Sequence, residues 1–145
     1  MNKLDLYRSM GAVVKQLNLG DVLALNEESQ KYGLCFTAAE AEDLIESRNR
    51  SINNNGRVEL GIEALKKIIA VFCRSPYINR ADYAETISEL VDIFYSMKNE
   101  TEDKIGDDQL IEMMYKLYNG SCQGSLDLLR NRELAILAKL SKRMM

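Results

Sequence analysis

The amino-acid sequence predicts an all-α protein, folded as a single domain over residues 1–145 in an irregular bundle of about six or seven helices. Three observations predict this fold class. Apolar residues recur at steps of three and four along most of the chain, which is the period of one helix face. Only one proline, Pro76, is present to interrupt helices. Strand-like character is confined to residues 57–60, a segment too short to build a sheet.

The first two helices are predicted on either side of a glycine. Apolar spacing predicts a helix over residues 4–17, and the Leu-Gly-Asp sequence at residues 19–21 is predicted to end it, because glycine weakens a helix. A second, shorter helix is predicted over residues 22–32. Gly33 is expected just after its end, where a left-handed backbone costs glycine nothing.

A capping box predicts where the third helix begins. The Thr37 hydroxyl accepts from a backbone amide, and Glu40 reaches back to the amide of Thr37. The helix is expected to run to about Ile52 and to end in residues 53–56, where Asn and Gly tolerate positive φ. Its predicted inward side carries Ala41, Leu44, Ile45 and Arg48.

The remaining helices are predicted from helix caps and helix breakers. One begins near Glu59 or Leu60 and ends before Ser75-Pro76. The next is long, strongly apolar on one side, and expected at the centre of the bundle. Predicted N-caps for the later helices are Asn79, Asp107 or Asp108, Ser125 and Asn131.

Charge, hydropathy and cysteine usage limit the partners and the location of the protein. The net charge of −3 argues against nucleic acid as a partner, because that binding draws on Lys and Arg. Apolar runs fall short of a membrane span, and the N-terminus lacks a secretory pattern. Three separated cysteines are typical of a reduced compartment. A cytoplasmic protein without a membrane partner is predicted.

The absence of histidine argues against most catalytic and metal chemistry. It removes Ser–His–Asp and Cys–His catalysis and His-containing metal sites. A glycine-rich phosphate loop is also missing. The acidic stretch from Asn99 fails as a calcium loop, because Lys104 stands where glycine is needed and Leu110 where glutamate is needed. The sequence therefore predicts no catalytic residue, metal or cofactor, and Glu40, Asp43 and Glu46 are interpreted as a solvated helix face.

One group of polar and aromatic residues at helix ends forms a candidate binding site. Its members are Arg57, Glu59, Tyr77, Tyr95 and Lys98. Arg and Tyr are enriched at recognition surfaces, and Arg57 would serve as an anion clamp if the turns converge. The alternative is that Arg57 and Glu59 lock helix ends through capping and ion pairing. The pattern leaves both interpretations open.

The cysteines offer a second candidate site. Cys35 and Cys73 have apolar neighbours and are predicted to be buried structural thiols. Cys122 precedes a predicted helix N-terminus, where a thiol pKa falls, and is a candidate reactive thiol. The alternative is an ordinary loop cysteine.

The last predicted helix is a candidate interface. Leu134, Leu137 and Leu140 leave it little polar surface, and basic residues flank it. A protein partner or a second copy of the chain would cover this face. Burial within the monomer is the alternative.

Several short motifs resemble a small protein family, found mainly in Firmicutes, that is classified as a domain of unknown function. The motifs fall between residues 32 and 126. They are Tyr32-Gly33-Leu34, Gly56-Arg57-Val58-Glu59-Leu60-Gly61, Ser75-Pro76-Tyr77-Ile78, Phe94-Tyr95 with Lys98-Asn99-Glu100, Asp107-Asp108-Gln109-Leu110-Ile111 and Cys122-Gln123-Gly124-Ser125-Leu126. The resemblance implies no activity, substrate or partner.

Two hypotheses for function follow from these patterns. The first is a non-catalytic protein-interaction or regulatory module of the bacterial cytoplasm. The second is a small-molecule or enzymatic site built from the Arg, Tyr and Glu residues at helix ends.

Overall fold

The computed structural model describes residues 16–133, and every regular element in that range is helical. The first described helix, α1, covers residues 16–24. It is followed by α2 (Asn26–Ser29), α3 (Ala38–Asn54), α4 (Glu63–Phe72), α5 (Tyr83–Glu100), α6 (Asp107–Asn119) and α7 (Leu126–Leu128). Short 3-10 turns precede Gly33 and α5, at Gln30–Tyr32 and Arg80–Asp82, and a π-helical turn follows α7 at Leu129–Glu133. The predicted all-α bundle is confirmed.

The core forms around α5, which contacts α3, α4 and α7. Its apolar stripe is buried along the helix length because neighbours cover more than one side. Aromatic rings fill the space between elements. Phe36 stacks on Tyr83 with centroids 4.2 Å apart, and Phe72 meets Tyr118 edge-on at 5.6 Å.

Several predicted helix ends are confirmed. The Thr37 Oγ1 accepts from the Glu40 amide at 3.1 Å, while Glu40 accepts from the Thr37 amide at 2.9 Å. Gly33 follows its 3-10 turn with φ 76°, and Gly56 follows α3 with φ 65°. Ser125 caps α7, because its Oγ accepts from the Leu128 amide at 3.2 Å.

The predicted break at residues 19–21 is wrong. One continuous helix runs through residues 16–24 and includes Gly20. Val22, which was expected to begin a new helix, is fully buried within this one. Burial of this apolar face outweighs the cost of a single glycine, which is about 1 kcal/mol.

The predicted start of α4 is three or four residues too early. The helix begins at Glu63, after an Ile62 N-cap that makes no side-chain cap hydrogen bond. Residues 57–61 instead form a loop in which the carbonyl oxygens of Glu59 and Gly61 accept hydrogen bonds from an arginine of α3. Those contacts hold the segment outside the helix.

Three predicted caps are also wrong. Asn79 precedes the 3-10 turn Arg80–Asp82 and makes no side-chain cap bond, and α5 begins only at Tyr83. Gly106 is the N-cap of α6, so Asp107 and Asp108 lie in its first turn, where negative charge favours the helix dipole. Asn131 lies inside the π-helical turn Leu129–Glu133 and does not cap a new helix.

Two predictions fall outside the described residues. These are the interface residues Leu134, Leu137 and Leu140 and most of the predicted first helix. Among helices of the described range, none has both the length and the apolar character needed to span a bilayer.

Candidate functional site

The 57–61 loop, defined as residues 57–61 between α3 and α4, exposes two aliphatic side chains almost completely. Val58 is 89% exposed and Leu60 is 92% exposed. Arg57 and Glu59 are half-buried, so burial alternates along the segment. Such alternation is typical of extended chain, in which successive side chains point to opposite faces.

Arg48 of α3 anchors this loop to the helix that precedes it. Its side chain is on the inward side of the helix, and only 5% of the residue is exposed. One terminal nitrogen, Nη2, donates to the carbonyl oxygen of Glu59 at 3.2 Å and also to that of Gly61. The other, Nη1, donates to Asn49 Oδ1 at 2.8 Å. A buried guanidinium is thus used to fix the main chain of the loop.

Arg57 anchors the same loop to the end of α5. Its Nη1 and Nη2 donate to the two carboxylate oxygens of Asp103 at 3.3 and 2.8 Å, a bidentate arrangement. Nη1 also donates to Asn99 Oδ1 at 2.9 Å. The guanidinium lies 5.8 Å from the centre of the Tyr95 ring, and Nε is 4.0 Å from Glu59 Oε2.

Lys98 extends this ion network to α6. Its buried Nζ donates to the Ile105 carbonyl oxygen at 2.9 Å and pairs with Asp107 at 2.8 Å and Asp103 at 3.7 Å. Asn99 Nδ2 donates to the Asn55 carbonyl oxygen at 2.8 Å. The ends of α3, α5 and α6 are therefore tied to the loop at one place.

The connection after α5 has an unusual backbone that positions Asp103. Glu102 has φ 54° and Asp103 has φ 59°, two consecutive non-glycine residues in the left-handed region. This conformation costs energy, which the ion pairs of Asp103 help to offset. The hydrogen bond from Arg57 lowers the pKa of Asp103, and the same bond raises the pKa of Arg57.

Tyr95 is buried under the loop. Burial is the main cause that raises the pKa of the Tyr95 hydroxyl, and its hydrogen bond with Glu59 is the second. The phenol therefore stays protonated at neutral pH.

Four of the five residues predicted as a binding site converge, and one is placed elsewhere. Arg57, Glu59, Tyr95 and Lys98 share the network described above. Tyr77 lies between α4 and α5, where its ring meets Tyr118 edge-on with centroids 6.3 Å apart.

The structure corrects the predictions for two cysteines. Cys35 is exposed, not buried. Cys122 is only 1% exposed, so its thiol lacks the access that a reactive thiol needs. Cys73 is buried as predicted, and burial raises the pKa of its thiol.

A cavity of about 310 Å³ adjoins the 57–61 loop. It is lined by Arg48, Asn49, Ile52, Asn53, Arg57, Val58 and Glu59. Asn49 and Asn53 are exposed on one face of α3, one helical turn apart. The loop and this cavity together form the candidate site.

A second cavity, of about 590 Å³, lies between α3 and α5. Its wall is rich in carboxylates, namely Glu40, Asp43, Glu46, Asp82, Glu85 and Glu89. Arg50 lies in the same wall, and Arg80 pairs with Glu40 at 3.3 Å. Within residues 16–133, no group of three His, Cys, Asp or Glu residues is arranged to hold a metal ion.

Comparison with known proteins identifies the family of the chain. Residues 21–145 match a family described as "Family of unknown function (DUF6323)". The chain belongs to this family, which confirms the resemblance drawn from its sequence motifs. No curated protein and no solved structure matches the chain significantly.

Proposed function

We propose that the chain, as a member of this family, is a non-catalytic protein-interaction module that presents the 57–61 loop to a protein partner. The observation that carries the proposal is the near-complete exposure of Val58 and Leu60 on an anchored loop. Single exposed apolar residues are common on protein surfaces. Two such residues, separated by one position on an anchored segment, are a better indication of a contact site.

The anchoring supports binding because it lowers the entropic cost of association. Arg48 fixes two carbonyl groups of the loop, and Arg57 fixes its start to Asp103. A flexible loop loses conformational freedom when it binds, whereas a fixed loop has already lost it during folding.

The alternative, a small-molecule site with Arg57 as an anion clamp, is less favoured. The two terminal nitrogens of Arg57 already bond to Asp103 and Asn99. An anionic ligand would have to displace a bidentate carboxylate and would meet the charge of Glu59 nearby. The network therefore supports the locking role that the sequence left open.

The setting we propose is the cytoplasm of a bacterium, where the three cysteines stay reduced. Leu134, Leu137 and Leu140 remain a predicted second contact surface for a partner or a second copy.

The proposal is tested by site-specific photo-crosslinking in cells of the source organism. A photoreactive amino acid replaces Leu60 in one variant and Leu17, which is also exposed, in the control. We expect a discrete crosslinked protein from position 60 and not from position 17.

A second arm asks whether the loop side chains are needed. The photoreactive group is placed at Asn53, beside the cavity, with and without Val58→Ser and Leu60→Ser. We expect the crosslink to disappear in the double variant. A crosslink that persists there, or none at position 60, would overturn the proposed function.

A further inference from the structure

Resting on that proposed function, we infer that the partner contributes an extended, apolar peptide segment whose main chain pairs with Val58 and Leu60. The partner would add a strand to the 57–61 loop, a known mode of peptide recognition.

One edge of the loop is occupied by Arg48. The carbonyl oxygens of Glu59 and Gly61 both accept from the same nitrogen, so both point toward α3. Residues 57–59 belong to no helix or turn, and burial alternates from residue 57 to residue 60. In extended chain, alternate residues direct their main-chain groups to opposite edges.

The other edge is open. In extended chain this alternation turns the N–H and C=O groups of Val58 and the N–H group of Leu60 away from Arg48, and the extended stretch ends where the chain bends at Leu60 and Gly61. Among residues 16–133, no group forms a hydrogen bond with the main chain of Val58 or Leu60. An open edge next to exposed aliphatic side chains is a template for another extended chain.

The adjoining cavity suits a side chain of such a peptide. Ile52 and Val58 give its wall an apolar part, and Asn49 and Asn53 place amide groups at the rim. The volume of about 310 Å³ is at the lower end of the range for ligand pockets, which favours a side chain over a cofactor.

A displayed library of random ten-residue peptides, selected on the full-length chain, provides the probe. The tightest peptide that requires Val58 and Leu60 is resynthesised with an N-methyl group at each amide in turn. We expect affinity to fall at least tenfold at alternate positions and to change little between them. Strand pairing has this period of two, whereas a bound helix depends on positions three and four apart.

The protein side is tested by removing one main-chain donor. Leu60→Pro removes the amide N–H at residue 60, and Leu60→Val keeps it with a similar side chain. We expect at least tenfold weaker peptide binding for the proline variant and less than threefold for the valine variant. Circular dichroism confirms that both variants are folded.

Amide hydrogen exchange supplies a readout that does not depend on a substitution. On addition of the peptide, we expect exchange at the Val58 and Leu60 amides to slow at least tenfold, with no such change at Glu59. Selection that yields no loop-dependent peptide, N-methyl effects without a period of two, or equal binding by both Leu60 variants would overturn the inference. If the in-cell crosslink at position 60 is still present, the proposed function stands and only the strand-pairing mode is lost.

Discussion

Arg48 shows how a single buried charge organises the candidate site. The residue occupies an inward position of α3, in line with Ala41, Leu44 and Ile45, where an aliphatic side chain would be expected. Its terminal nitrogens are instead bonded to main-chain carbonyls of the 57–61 loop and to Asn49. Burial of a charge is costly unless such bonds satisfy it.

Arg48→Met tests this role at the residue scale. The substitution keeps the side-chain volume but leaves the Glu59 and Gly61 carbonyls without their donor. We expect the free energy of unfolding to fall by about 2 kcal/mol and amide exchange in the loop to accelerate. Urea unfolding and hydrogen exchange measure the two effects.

Arg50→Met is the matched control, because Arg50 is exposed two residues further along the same helix. We expect it to change stability by less than about 0.5 kcal/mol. Equal effects of the two substitutions would contradict the anchoring role of Arg48.

Asp103→Asn tests the ion pair with Arg57 through its dependence on pH. Because the pKa of Asp103 is lowered in the folded state, the ionised carboxylate stabilises the fold above its unfolded pKa, which is about 3.9. This contribution is lost as pH falls through the lower, folded pKa. The Asp103 side chain is 54% exposed, so we expect a loss of no more than about 1 kcal/mol at pH 7.

We therefore expect the wild-type free energy of unfolding to fall more steeply than that of Asp103→Asn as pH is lowered below about 4. Asparagine also tolerates the left-handed backbone at residue 103, so the substitution adds no backbone strain there. Glu112→Gln, on the exposed surface of α6, is the control. The same pH profile in wild type and Asp103→Asn would rule out the ion pair as a source of stability.

Part of the site was predictable because its residues occur at helix ends. The polar and aromatic pattern there predicts Arg57, Glu59, Tyr95 and Lys98 as one group, and the structure places these four in one network. Asp103 was not predicted as a member of this site, because its partner Arg57 is 46 residues away in the sequence. Arg48 was predicted on the inward side, but its bonds to the loop depend on tertiary packing.

Helix ends, at the scale of the element, were predictable where the signal is local. The Thr37 capping box and the positive φ of Gly33 and Gly56 depend on a few adjacent residues. The starts of α4 and α5 were not predictable in this way. Their N-caps, Ile62 and Asp82, make no side-chain cap bond, so packing sets those boundaries.

Gly106→Ser tests the N-terminus of α6. Gly106 has φ −65° and ψ 155°, and a Cβ added there meets nothing within 4 Å. Serine would add a side-chain cap and reduce the freedom of the unfolded chain, so we expect a gain of about 0.5–1 kcal/mol by urea unfolding.

Gly61→Ser separates these two causes. A Cβ at Gly61 also meets nothing within 4 Å, but Gly61 lies in the loop and caps no helix. We expect a smaller gain there. If the two serines stabilise the protein equally, capping does not explain the gain at residue 106.

At the scale of the whole molecule, turns far apart in sequence pack against each other around the bundle. Tyr77, between α4 and α5, lies against Gly124, between α6 and α7. A Cβ at Gly124 would lie 2.5 Å from the Tyr77 Cβ. The sequence identified both segments as turns but could not show that they touch.

Gly124→Ala tests this contact against Gly56→Ala. Both glycines have positive φ, 79° and 65°, but a Cβ at Gly56 meets no atom within 4 Å. We expect Gly56→Ala to cost roughly 1–2 kcal/mol from backbone strain alone. Gly124→Ala should cost about 1–3 kcal/mol more, because the clash adds to the strain. Urea unfolding of both variants makes the comparison, and equal losses would show that the two turns can separate freely.

The exposed thiol of Cys35 allows the wild-type protein to be labelled with a fluorescent dye. Cys73 and Cys122 are shielded, so a maleimide dye should attach to the folded protein at one position. That position lies just before the 17-residue helix α3, and the 57–61 loop lies just beyond its other end. At 1.5 Å per residue, α3 separates the dye from the loop by about 25 Å. This is a convenient range for energy transfer to a fluorescent partner, and the dye itself stays clear of the contact.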